Sequence, residues 1–102
     1  MKSILIVTVA LLFSCNAMAQ KKIFEPKILI PDSTIAIDIA LVYFKYIYGS
    51  ENANRFKPYT AKLVNNKIWI VTGYLPQNML GGVPYMEIQK VDGKVLKIAH
   101  GK

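Results

Sequence analysis

The chain is 102 residues long with one cysteine and one histidine, and thirteen lysines and arginines against six acids give it a formal charge of +7. That length allows one domain with a single modest core, and so few soft ligands cannot furnish the roughly four donors of a structural zinc site. Nucleic acid fits poorly as a partner, because the lysines are spread along the chain and not gathered with aromatic residues into a strip.

The first nineteen residues read as a signal peptide. Lys2 supplies the positive end, residues 4–13 form an apolar run too short to span a bilayer, and Ala17-Met18-Ala19 has the small-x-small pattern of a cleavage site. Cleavage after Ala19 leaves 83 residues beginning at Gln20 and lowers the formal charge to +6. A competing reading takes Leu12-Phe13-Ser14-Cys15 as a lipobox in which Cys15 is lipidated, although Phe13 suits that pattern less well. Only lipidation at Cys15 would make the membrane a partner. Both readings put the protein outside the cytoplasm, periplasmic or anchored in the envelope, with no second cysteine for a disulfide.

Residues 20–31 form an extended N-terminal segment in which Ile28-Leu29-Ile30 is a short strand or packed stretch ended by Pro31. Asp32 then stands at a helix N-cap, with Ser33 and Thr34 as alternatives, and residues 35–48 carry the main helix. Its expected buried stripe runs through Ile35, Ile39, Val42 and Tyr46, widened by Ala36, Ala40, Tyr43 and Ile47. A helix this apolar demands cover on most sides. Gly49 ends it, and residues 50–58 read as a loop with one helical turn at 51–55.

Two hairpins follow. A two-residue Asn65-Asn66 turn sets Leu63 against Ile68, Ala61 against Ile70 and Tyr59 against Thr72, which turns Trp69 and Val71 to the opposite side with Lys62. In the last hairpin a three-residue loop at 91–93, with Gly93 left-handed, pairs Ile88 with Leu96, Met86 with Ile98 and Glu87 with Lys97. The fold class is therefore α+β: one main helix packed in a curved antiparallel sheet of about four strands, preceded by a signal peptide.

Pro31-Asp32 before a helix ending in Tyr48-Gly49, then Ile68-Trp69-Ile70-Val71-Thr72-Gly73 with Leu75-Pro76, then Gly81-Gly82-Val83-Pro84-Tyr85-Met86-Glu87-Ile88 and Asp92-Gly93-Lys94-Val95-Leu96 form an ordered series. This series resembles the NTF2-fold immunity proteins of bacterial polymorphic toxin systems over nearly all of the chain beyond residue 19. The resemblance implies a small NTF2-like domain over residues 32–102 that binds and neutralises a cognate toxin by protein–protein contact, with no cofactor and no catalysis. The chain is short for a full NTF2-type cone, so a ligand pocket is not implied. With an export signal, the toxin would be met in the periplasm or at the outer surface. A helix followed by strands ending in Glu87-Ile88-Gln89-Lys90-Val91-Asp92-Gly93-Lys94-Val95 also resembles PepSY domains, whose alternative implication is an exported inhibitor or regulator of a peptidase.

No catalytic constellation stands out. His100 falls beside Pro84 at a strand end, without an evident nucleophile to activate. Asp38 would be the acid of an NTF2-fold isomerase, with Tyr43 or Tyr46 as hydrogen-bond donors; the plainer reading makes Asp38 and Lys45 the wet edge of the helix. Gly81-Gly82 precedes a strand and so is no phosphate loop. The candidate partner-binding residues are Trp69, Val71, Lys62, Tyr85 and Lys97, joined by Val64, Val95 and Lys67 on the sheet face away from the helix. That face either docks an acidic toxin surface or a second copy in a homodimer, or is closed by residues 23–30 folding back over Trp69.

Overall fold

The computed structural model describes residue 23 and residues 25–101. The expected signal peptide, with its cleavage at Ala19 or lipidation at Cys15, lies outside the described residues. Helix α1 (Ser33–Tyr48) and helix α2 (Ser50–Arg55) precede strands β1 (Thr60–Val64), β2 (Ile68–Thr72), β3 (Pro84–Gln89) and β4 (Val95–His100). The strands form one antiparallel sheet in the order β1-β2-β3-β4, and α1 lies across β1, β2 and β3. The architecture is α+β, a helix on an open four-stranded sheet.

Asp32 caps α1 as its short carboxylate suggests, accepting from the Ile35 amide at 3.0 Å. At the other end Gly49 adopts φ 90° and ψ 150°, a conformation essentially reserved for glycine. Its amide closes α1 on the Lys45 carbonyl, while its own carbonyl accepts from Ala53 in α2. One residue thus ends one helix and starts the next.

The buried stripe of α1 differs from the expected one. Ala36, Ala40 and Phe44 are fully buried, whereas Val42 is 68% and Tyr46 87% exposed. Apolar residues encircle this helix, so periodicity fits several faces equally well. Packing resolves the choice: two alanines let the backbone approach the sheet closely, and Phe44 fills the space beyond them. Its ring stacks on Tyr59 with centroids 5.5 Å apart.

The first hairpin is shifted by one residue from the expected register. Asn65 and Asn66 do form the tight turn, with φ 52° and 57°, and the Lys67 amide donates to the Val64 carbonyl at 3.0 Å. Lys67 is then left over as an extra residue, because its carbonyl accepts from the Lys90 amide at 2.8 Å. Pairing resumes as Val64 with Ile68, Leu63 with Trp69 and Ala61 with Val71. A slip of one residue exchanges the two faces of a strand, so Trp69 and Val71 enter the core beneath α1.

The second hairpin keeps the expected Met86–Ile98 and Glu87–Lys97 pairs, and Gly93 is left-handed at φ 74°. A bulge at Glu87/Ile88 brings Val95, not Leu96, opposite Ile88, and Val95 packs against the core. Residues 28–30 are an extended segment fastened to this hairpin by Leu29 and Ile30 amides donating to the Val91 and Lys90 carbonyls.

Tyr59 ties the helical layer to the sheet. Its hydroxyl donates to the Ala53 carbonyl at 2.8 Å. Burial, reinforced by the neighbouring Tyr48 phenol, pushes its pKa from 10.0 up to about 12. Because the folded value exceeds the unfolded one, this contribution to stability is complete below pH 10 and lost as pH rises towards 12. Tyr59→Phe is expected to lose about 1 kcal/mol at neutral pH. Urea titrations across the alkaline range should find the variant's stability falling less steeply than the parent's between those two pH values.

Candidate partner-binding face

The exposed face of the sheet follows from the registers. Thr60, Thr72, Tyr85 and Ala99 make one row across the four strands; Lys62, Ile70, Glu87 and Lys97 make the next; Val64, Ile68 and Gln89 make the third. Among the described residues no helix or strand lies over this face. Lys62, Tyr85 and Lys97 therefore come together as the sequence suggests. Trp69 and Val71 do not, since they point to the helix side and are 7% and 0% exposed. Val95 leaves the face for the same side.

Across the first two rows the polar groups support one another. The Tyr85 hydroxyl donates to a Glu87 carboxylate oxygen at 2.5 Å, and the Lys97 ammonium stands 5.8 Å from the Tyr85 ring centroid. The hydrogen bond to Glu87, then burial and the carboxylate's charge, raise the Tyr85 pKa. A phenol held in this way is a rigid amphipathic contact with little entropy left to lose on docking.

At the turn end the face runs into a cavity of about 490 Å³ lined by Ile28, Asn66, Lys67, Ile68, Gln89, Lys90 and Val91. The Lys90 ammonium donates to Asn66 Oδ1 at 3.0 Å and so ties the two turns together. Asp92 is occupied within its own turn, accepting from Gln89 Nε2 and from the Lys94 amide, both at 3.0 Å. Five lysines, Lys62, Lys67, Lys90, Lys94 and Lys97, lie on or around the face against the carboxylates of Glu87 and Asp92, so the field over it is basic.

Sequence reasoning missed Ile68 and Ile70 as apolar members of this face. The missing signal is the extra residue at Lys67, which depends on a backbone bond to Lys90 and leaves no local mark. Of the segment expected to fold over Trp69, Ile30 does reach it, its carbonyl accepting from the indole N–H at 2.9 Å, but from the core side.

The other chemical candidates are not assembled into a site. Asp38, Tyr43 and Tyr46 are exposed on α1. His100 pairs across to Pro84 as expected, and its ring meets Tyr48 and Phe56 edge-on, each with centroids 5.4 Å away. The hollow there, about 230 Å³, is lined by Tyr48, Asn52, Arg55, Phe56, Met79 and His100, with no serine or cysteine among them. Among the described residues no three His, Cys, Asp or Glu side chains gather as metal ligands.

A family model described as NTF2 fold immunity protein matches residues 35–102. The uncharacterized protein YhhH of Escherichia coli (strain K12) is 36% identical over 75 residues, which cover 72% of this chain and 58% of that protein. The uncharacterized protein YbbC of the same strain is 36% identical over 80 residues, covering 78% and 65% respectively. The chain thus matches somewhat under two thirds of the length of these relatives. No solved structure matches it.

Proposed function

This chain belongs to the NTF2 fold immunity protein family, and from that premise we propose that it neutralises a cognate bacterial toxin by direct protein–protein contact, outside the cytoplasm and without catalysis. The observation that carries the docking site is the uncovered sheet face, where Lys62 and Lys97 flank Ile70 and the braced Tyr85–Glu87 pair. An apolar and aromatic centre with a basic surround suits a toxin surface with apolar groups inside an acidic rim. The export-type residues Lys2, 4–13 and 17–19 support action in the periplasm or at the envelope.

The test begins with capture of the toxin on the tagged, host-processed chain, followed by growth assays with the captured protein alone and with the chain added. Suppression of toxicity at a one-to-one ratio is the expected result. A partner without toxic activity would overturn the immunity reading. Replacing Lys62 and Lys97 together by Glu is expected to weaken toxin binding about tenfold to a hundredfold, mainly by slowing association, and to flatten its salt dependence. Unchanged affinity in that folded variant would place the contact on another face.

A further inference from the structure

Among the described residues the outward side of α1 is a second uncovered surface, distinct from the sheet face. Taking 100° per residue, Val42 lies at its centre. Ile35, Ile39 and Tyr46 fall to one side of Val42, and Asp38 and Lys45 fall to the other. Val42 is 68% and Tyr46 87% exposed, while Ile35 and Ile39 are half-buried, with their inner sides against the core. Asp38 and Lys45 are exposed too, and neither has a salt-bridge partner among the described residues. An apolar ridge with one acid and one base along the same edge is an unusual dress for a solvent-facing helix.

We propose that this face pairs with the same face of a second copy, α1 against α1, antiparallel about a two-fold axis level with Leu41 and Val42. The charge pattern selects this geometry. In an antiparallel pair the two-fold lies in the interface, perpendicular to the helices, so it brings the charged edge of one helix beside the charged edge of the other. Asp38 and Lys45 stand seven residues apart, about 10.5 Å along the axis, with the two-fold midway between them. Asp38 of each copy then meets Lys45 of the other, twice. On the opposite edge Ile39 meets Tyr46, again twice, and Val42 packs close to the axis. A parallel pair, whose two-fold runs along the helices, would set the charged edge of each copy beside the Ile39 and Tyr46 edge of the other and leave Asp38 and Lys45 without partners. The charges are paired in one orientation and set against apolar groups in the other, and the antiparallel pairing leaves the toxin-docking face free.

The experiment is sedimentation equilibrium of the host-processed chain, without toxin, over a micromolar concentration series. The parent is expected to dimerise reversibly. Asp38→Lys and Lys45→Asp should each weaken dimerisation tenfold or more by opposing like charges. An equimolar mixture of those two variants should recover dimers, as should one chain carrying both changes. Tyr46→Ala, at a position too exposed to matter to the fold, should weaken the dimer about tenfold as well. A parent that stays monomeric throughout overturns the proposal, as does a dimer indifferent to the charge exchange. Tighter association of Asp38→Asn would indicate a parallel pair and also overturn it. None of these outcomes depends on whether the chain binds a toxin.

Discussion

Trp69→Ala is expected to unfold the domain, not to spare the fold while abolishing a binding surface. Trp69 is 7% exposed and sits between Leu63 and Ile88 in neighbouring strands. Removing a buried aromatic of this size costs about 3–5 kcal/mol, against a total of about 5 kcal/mol at the low end expected for a domain this small. Two further losses come with it: the Ile30 carbonyl forfeits its indole donor, and residues 28–30 lose one of their fastenings. Urea unfolding followed by circular dichroism measures the effect. Trp69→Phe serves as the control, keeping most of the packing while deleting the hydrogen bond, with an expected loss of about 1–2 kcal/mol. Because the chain has a single tryptophan, its native fluorescence should be blue-shifted and should move red on unfolding. A Trp69→Ala variant within about 1 kcal/mol of the parent would contradict the placement of this residue in the core.

Gly73→Ala should be the next most damaging change, for a reason unrelated to backbone dihedrals. A methyl group at Gly73 would lie 2.8 Å from Phe56 Cβ, 3.1 Å from Pro84 Cδ and 3.1 Å from Tyr59 Cε2. None of these atoms is the free end of a flexible side chain: one is anchored to backbone, one belongs to a proline ring and one to a buried phenol. Relief requires the α2 end and the start of β3 to separate, against the Gly73 amide's bond to the Pro84 carbonyl and the Tyr74 amide's bond to the Phe56 carbonyl. Overpacking of this kind costs about 2–3 kcal/mol, which corresponds to a fall in Tm of roughly 10–20 °C for a domain of this size. Scanning calorimetry would show it; an unchanged Tm would mean that the two layers are not in contact at this point.

Much of the fold could be read from local chemistry. Asp32 and Gly49 bound the main helix by capping rules that need no knowledge of the rest of the chain, and Gly93 marks the last turn in the same way. Two features were beyond such reading. The side of α1 that meets the sheet is undetermined by periodicity, because apolar groups occur all round the helix and only the small size of Ala36 and Ala40 favours one side. The face on which Trp69 and Val71 fall is undetermined because it hangs on a single residue, Lys67, whose carbonyl is claimed by Lys90 far along the chain. Lys62, Tyr85 and Lys97 share a face on either register, because Tyr85 and Lys97 sit clear of that uncertainty and because the slip moves the partner strand of Lys62 and not its own. The residues that gave the face its apolar part, Ile68 and Ile70, changed places with Trp69 and Val71 for the same reason.

Every strand pairs with the strand next to it in the chain, which has a kinetic consequence. Contact order is low in such a meander: each hairpin can zip from its own turn, and joining the two needs only the connection 73–83 to close, so rapid folding is expected. The contact between Trp69 and Ile30 spans 39 residues and is entropically costlier to reach. Residues 28–30 are therefore expected to dock late in folding, as an N-terminal strap laid on a sheet that is already formed.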